Sequence, residues 1–328
     1  MAVSDALNRL MQPTTSEFDN AGEFTFRPAT KEQAKARVAL VGVSGSGKTW
    51  TGLALAHGLA AGQRFAVIDT ERGSASKYVG INGIGFDVLQ MYRYDPRDLV
   101  KALGAAAKAG YAAVLIDSLS HFWKGTDGTL EQVDRAKARF GGNSFGGWKE
   151  GTPMQNQMID ALLTYPGHVV ATMRSHTEWV LETNERGKRE PVAKGTRAEQ
   201  RRGVEYEFDL VGSMDIDNRL TMLKSRCSAL HRAVIEQPDG AALAKELLAW
   251  LGDGAPAADP AEYLDRAQAP DATYEGLLAL YREVEARGLL ASPYLDGETP
   301  TTLGEFIRAR GAFVRARGTA LKSQAGDR

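Results

Sequence analysis

The stretch "VALVGVSGSGKTWTG", residues 38–52, decides how this chain is read. An apolar, β-branched run gives way to a glycine-rich turn, and the turn opens into residues of helical character. Gly42-Val43-Ser44-Gly45-Ser46-Gly47-Lys48-Thr49 fits the pattern G-x-x-x-x-G-K-[ST]. Glycines there let successive backbone N–H groups turn inward around a phosphate, and the N-terminus of the following helix adds positive potential. Lys48 is placed to reach the β- and γ-phosphates, and the Thr49 hydroxyl to ligate Mg2+. A strand before the turn and a helix after it separate a working phosphate loop from a chance run of glycines. ATP and Mg2+ are therefore the expected ligands, on Gly42, Ser44, Gly45, Ser46, Gly47, Lys48 and Thr49.

Outward from that loop, strands and helices alternate. "RVALVGV", "RFAVIDT", "FDVLQM", "AAVLIDSLS" and "HVVATMR" read as strands. Between them lie the helical stretches "GKTWTGLALAHGLAA", "PRDLVKALGAAAKAG" (opened by Asp95-Pro96), "TLEQVDRAKARF" and "PMQNQMIDALLTY". "YEFDLVGSMD" and "RLTMLKSRC" read as a closing pair of strands. The alternation predicts an α/β fold, a mostly parallel sheet flanked by helices. Four segments follow: an N-terminal extension (1–35), a nucleotide-binding domain (36–251), a linker "GDGAPAADPAE" (252–262) and a small C-terminal helical module (263–328). In that module "FIRARGA" and "FVRARGT" repeat, and Arg308, Arg310, Arg315 and Arg317 give it a basic face; a solvated helix surface is the plainer use of them.

Bulk properties narrow the classes. Among 328 residues the formal net charge is -1, so any contact with nucleic acid must rest on local basic patches. Cys227 is the single cysteine, which excludes an intrachain disulfide framework and suits a reducing cytoplasm. Residues 1–35 carry no apolar leader, and no apolar run approaches the ~18 residues of a membrane span. A cytoplasmic protein with no membrane partner is expected.

Two carboxylates stand where chemistry is needed. Asp117 ends the apolar strand "AAVLI", the place of a Mg2+-associated aspartate in P-loop enzymes; the bland alternative is an N-cap for the next helix. In "VIDTERG", Asp69 and Glu71 stand at the C-terminal end of the second strand, the edge where open α/β sheets bind ligands. A glutamate there can polarise a water against the γ-phosphate, whereas a kinase has less need of it. The alternative for Glu71 is a surface carboxylate or ion pair.

At these residues the chain resembles a RecA-like P-loop NTPase core, and more closely the small RecA-like ATPases carried by bacteriophages, some of them single-strand annealing or recombination proteins. The likeness runs from about residue 37 to 232. It implies that Glu71 is the catalytic glutamate, that Tyr78 stacks on adenine and that Asp117 is the Mg2+-associated aspartate. It also puts DNA-binding loops at two segments. "FGGNSFGGWKEG" (140–151) combines glycines with Phe145, Trp148 and Lys149, the ingredients of a single-strand stacking platform. The segment 175–203 concentrates Arg186, Lys188, Arg189, Lys194, Arg197, Arg201 and Arg202 against only Glu190 and Glu199 within 186–202, a patch suited to phosphates; a solvated loop is the alternative. In "LKSRC", Lys224 and Arg226 match a pair that in the wider family reaches a neighbouring subunit's γ-phosphate, which implies a homo-oligomer, ring or filament; two edge-strand surface residues are the alternative. One departure stands out. Where the family carries a glutamine sensor after "HVVATM", this chain has Arg174.

The leading expectation is a Mg2+-dependent, DNA-stimulated ATPase acting on single-stranded DNA in recombination, annealing or repair, with a single-strand-binding or replication protein as a possible partner. An ATP-switched adaptor or loader acting on protein partners comes second. A small-molecule kinase is the third, for which an arginine-rich lid helix cannot be placed in the chain.

Overall fold

The sheet forms because five apolar runs end at one edge and cannot be satisfied singly. In the computed structural model, which describes residues 34–183, 189–253, 258–297 and 299–326, those runs are parallel strands. They are β1 (Arg37–Gly42), β2 (Phe65–Asp69), β3 (Asp87–Gln90), β4 (Ala113–Asp117) and β5 (His168–Thr183). β6 (Arg189–Ala198) returns antiparallel to β5. β7 (Leu210–Met214) joins β1 in parallel, and β8 (Arg219–Ser225) and β9 (Val234–Glu236) close the sheet antiparallel. The order is β3-β2-β4-β5-β1-β7-β8-β9, with β6 on β5. The expected α/β class and mostly parallel sheet hold.

Side-chain alternation along each strand builds two cores. Val38 and Leu40 of β1 face one, Ala39 and Val41 the other, and Leu115 and Ile116 of β4 divide in the same way. The first core is covered by α1 (Lys48–Leu59) and α6 (Gly240–Leu251), which approach so closely that a Cβ on Gly58 would lie 2.5 Å from that of Ala244. The second is covered by α2 (Pro96–Lys108) and by a long helix that ends at Leu163. Asp95 caps α2 by accepting from the Arg97 N–H at 2.9 Å, as Asp-Pro predicts.

Buried polar groups fasten this sheet at its lower edge. The Arg37 guanidinium donates to the carbonyls of Leu163, Tyr165 and Gly167, tying β1 to the turn that enters β5. Burial pushes its pKa down to about 10, against the opposing charge of Asp209. His168 Nδ1 accepts from the Ala36 N–H at 2.9 Å, and burial holds that imidazole down at about 3.

Three expectations about local structure are corrected. The segment 140–151 is a loop only over 140–143: after α3 (His121–Lys124) and α4 (Thr129–Arg139), helix α5 runs Ser144–Leu163 with Asn143 as N-cap and Pro153 inside it. Its helical glycines serve contact, since a Cβ on Gly147 would lie 2.5 Å from the Val133 carbonyl oxygen and one on Gly151 2.3 Å from Val133 Cγ2, whereas Gly141 and Gly142 supply the positive φ of the turn before the helix. The described part of 175–203 is mostly strand too. β5 runs on past Arg174, and β5 and β6 pair as a hairpin from Ser175↔Ala198 out to Thr183↔Arg189. The helix expected after the linker begins earlier, at Pro260, capped by Asp259.

The chain divides into two compact units. One holds Ala258–Leu290 and the chain from Thr302 on; the other holds the described residues before Ala258 together with Ala291–Thr301. The first is built on α7 (Pro260–Gln268), α8 (Tyr274–Ala286) and α9 (Leu303–Gly326) around Tyr263, Leu277, Leu280, Val284 and Ile307. Its arginines are not simply a bare basic face: Arg308 stacks over Tyr281, Arg310 over Phe313 and Arg315 over Tyr274. The region is not wholly helical, because β10 (Pro293–Asp296) and β11 (Thr299–Thr302) form a small hairpin that, up to Thr301, counts with the sheet-bearing unit. Residues 1–33 and part of the linker, 254–257, lie outside the described residues. No described helix is long and apolar enough to cross a membrane.

Candidate functional site

Parallel registration brings four strand ends to one edge. Gly42 of β1 pairs with Arg174 of β5, and Asp69 of β2 with Asp117 of β4. The phosphate loop leaves β1 here and opens α1. Gly45 and Gly47 both hold φ at +82°, the left-handed region glycine enters without strain, and Gly45 has nothing within 4 Å of where a Cβ would stand. Gly42 is required for a different reason: a Cβ there would lie 2.3 Å from the Met214 carbonyl oxygen. Ser44 is exposed and Ser46 fully buried. Lys48 Nζ donates to the Val43 carbonyl at 2.6 Å and lies 3.4 Å from Ser46 Oγ, so its charge is folded back over the loop. Burial lowers the pKa of that amine, while Asp117 and Glu71 oppose the shift.

The two expected metal ligands stand in direct contact. Thr49 Oγ1 donates to Asp117 Oδ2 at 2.7 Å, and Thr172 of β5 donates to Asp117 Oδ1. Asp117 is 2% exposed. Burial raises its pKa, and the hydroxyls of Thr172 and Thr49 act against that. A carboxylate so placed gains from a cation. Among the described residues no group of three or more His, Cys, Asp or Glu side chains is arranged to hold one unaided, so a cation here would draw most of its ligands from phosphate and water, as Mg2+ does. Asp117 does not cap the next helix; Ser120 precedes α3.

Glu71 lies beside these groups, but engaged. Arg174 donates to both its oxygens, Nη2 at 2.9 Å from Oε1 and 2.8 Å from Oε2, with Nε at 3.1 Å from Oε1. Burial pushes the Glu71 carboxyl up, yet the hydrogen bonds and charge of Arg174, with His121 adding, hold it below the ordinary glutamate value. The Glu71 N–H donates to Asp69 Oδ1 at 2.7 Å, while Asp69 Oδ2 is buried without a partner. His121, the first residue of α3, stacks on Tyr94 with centroids 4.8 Å apart and turns Nε2 to within 3.9 Å of Glu71 Oε1.

The remaining expected residues fall in several places. Tyr78, in a short 3-10 turn (Ala75–Tyr78), packs on Trp50 with ring centroids 5.7 Å apart. Phe145 is 86% exposed in the first turn of α5, Lys149 is exposed beyond it, and Trp148 is half-buried against Trp123 at 6.0 Å. Arg189 begins β6 and is exposed, and Lys194 lies on β6 at the bulge opposite Glu178/Trp179. Arg186 and Lys188 lie outside the described residues. Arg197 is half-buried at the hairpin base; Arg201 donates to Asn156 Oδ1 at 3.0 Å, and Arg202 is exposed. Lys224 and Arg226 stand at the opposite end of the sheet from this chain's own phosphate loop, since Leu210↔Ser225 is the pairing there. Lys224 Nζ donates to the carbonyls of Tyr206 and Phe208, and Arg226 pairs with Asp209 at 2.8 Å. The expectation that both project alike from one strand is corrected, because β8 ends at Ser225.

Four residues of the site were not anticipated. Thr172 had a signal: it is the polar position inside the apolar run "HVVATM", two residues before Arg174 and hence on the same face of β5. His121 follows Asp117 by one helical turn's worth of chain. Gln155 and Gln200 had none. They form a buried chain in which Thr129 Oγ1 donates to Gln155, Gln155 to Gln200 at 3.1 Å, and Gln200 to the Leu119 carbonyl at 3.0 Å. That chain links α4, α5 and the hairpin base to the segment after Asp117.

A family model described as an AAA domain matches residues 34–240, the stretch that contains every strand-end group above. No curated protein matches the chain.

Proposed function

The chain belongs to the AAA-domain family of P-loop ATPases, and from that premise we propose that it is a Mg2+-dependent ATPase that binds single-stranded DNA and assists recombination, annealing or repair, in the manner of the small RecA-like ATPases that phages carry. One observation supports the reading above others: Arg174 contacts Glu71, and the chain runs straight on from Arg174 into the outer half of β5, whose partner β6 carries basic residues. A ligand on that hairpin therefore has a short route, along the backbone to Arg174 and through its ion pair, to the carboxylate that would activate water.

The residues divide the work as follows. Backbone N–H groups of the loop and Lys48 bind the phosphates, and Tyr78 stacks on the base. Thr49 and Asp117 would hold the cation, which when bound offsets charge on the phosphates. Glu71, freed of Arg174, orients a water and takes its proton, while Arg174 moves to the γ-phosphate. Lys224 and Arg226 act on a neighbouring copy's nucleotide, so turnover depends on homo-oligomerisation. Phe145, Trp148, Lys149, Arg189, Arg197, Arg201 and Arg202 supply stacking and phosphate contacts for the strand. A single-strand-binding or replication protein is the expected further partner.

The test is ATP turnover with and without single-stranded DNA, beside salt-titrated binding of single-stranded and duplex DNA with an ATP analogue present or absent. Stimulation and analogue-dependent, salt-sensitive binding of the single strand are expected. Indifference of both to DNA counts against the reading. A second reading, an ATP-switched adaptor, is favoured by the same ion pair, because a glutamate held by Arg174 suits binding without hydrolysis. Tight ATP binding with negligible turnover and a stable protein complex would select it.

A further inference from the structure

We propose that His121 is the proton acceptor behind Glu71: once Arg174 has withdrawn, it takes from the Glu71 carboxyl the proton of the attacking water. The proposal rests on the hydrolytic reading above. Its ground is the way the ring is held. Thr70 Oγ1 donates to the Ser118 carbonyl at 3.1 Å and accepts from the Ser118 N–H at 2.6 Å. Its remaining lone pair meets His121 Nδ1 at 2.7 Å. With the Thr70 proton spent on Ser118, Nδ1 carries the ring hydrogen and Nε2 is left as the bare, basic nitrogen. Tyr94 fixes the plane of the ring by stacking, and its own hydroxyl donates to the Thr70 carbonyl at 3.2 Å. The bare nitrogen so fixed is the one 3.9 Å from Glu71 Oε1, and a shift of about 1 Å brings it within reach of a proton carried by Glu71.

The step balances. Water oxygen bonds to the γ-phosphorus of ATP as the bond to the β–γ bridging oxygen breaks, and one water proton passes to Glu71. From Glu71 it moves to His121 Nε2, giving an imidazolium that returns it to solvent through its partly exposed edge. Products are ADP, phosphate and one proton, with both side chains restored. Burial keeps the imidazole below its ordinary pKa, so it is neutral and receptive at pH 7. The charged groups facing it are Glu71 and Glu199, which raise that value, and Arg174 and Arg72, which lower it.

Turnover between pH 5.5 and 9 for the native chain, Glu71→Gln, His121→Asn and His121→Ala tests this. Expected are a loss of on the order of 100-fold in kcat for H121N, with KM nearly unchanged. The native acid limb nearest neutrality should disappear in H121N, and added imidazole should restore H121A but not E71Q. H121N matching the native rate and acid limb while E71Q is inactive overturns this proposal alone. E71Q as fast as the native chain overturns the hydrolytic reading and this step with it. Should H121A fail to fold, the 15N signals of the native ring decide: Nδ1 protonated with Nε2 bare at pH 7 supports the relay, and the opposite tautomer overturns it.

Discussion

Arg174 holds Glu71 by both carboxylate oxygens, at 2.9 and 2.8 Å from one guanidinium nitrogen, across the mouth of the phosphate loop. The pair joins two strand ends that are 103 residues apart in sequence, and Lys48 and Asp117 lie in its electrostatic reach.

Arg174→Ala separates function from stability. The guanidinium is 47% exposed, so the pair contributes no more than about 1 kcal/mol to folding and the melting temperature should hardly move. Loss of a cation at the γ-phosphate should cost turnover about 100-fold. Steady-state kinetics beside thermal unfolding check both halves; an unchanged rate contradicts the role assigned to Arg174.

Thr172→Val keeps shape and removes the hydroxyl that donates to Asp117. The carboxylate, already raised by burial, loses a stabilising partner. Mg2+ dependence of turnover should shift to roughly 10-fold higher concentration, with the native rate regained at saturation. A Mg2+ titration of both chains gives the answer.

Gly151→Ala puts a methyl 2.3 Å from Val133 Cγ2 in the packed crossing of α4 and α5. Overpacking there should cost about 1–3 kcal/mol. Chemical denaturation measures it; a neutral substitution would mean that the two helices part more easily than their contact implies.

His168 makes the fold acid-sensitive. Its folded-state value is depressed to about 3, so the unfolded chain binds the extra proton as pH falls below 6.5. Stability from this group is present above that value and declines down to about pH 3. Between pH 7 and 5 the loss is about 2 kcal/mol. Urea unfolding at the two values, with His168→Gln as control, should show the slope flattened in the variant.

Much of the site is legible in the sequence, because local chemistry dictates it. The loop from Gly42 to Thr49 and the strand-ending Asp117 are set by backbone and charge within a few residues. What could not be read depends on contacts distant along the chain. The glycine-rich segment 140–151 reads as a flexible loop, whereas Val133 on another helix makes Gly147 and Gly151 points of close approach. The segment beyond Arg174 read as a loop since basic residues hid a strand that only pairing with β6 sustains. The partnership of Glu71 with Arg174 needed the register of β2, β4 and β5.

Trp123 and Trp148 lie 6.0 Å apart, one on the short helix after Asp117 and the other on the first turns of α5 beside the exposed Phe145. Indole emission is sensitive to such proximity. Any displacement of the aromatic end of α5 against the segment that follows Asp117 should register as a change in fluorescence intensity, which makes the chain its own optical gauge of communication between those two regions.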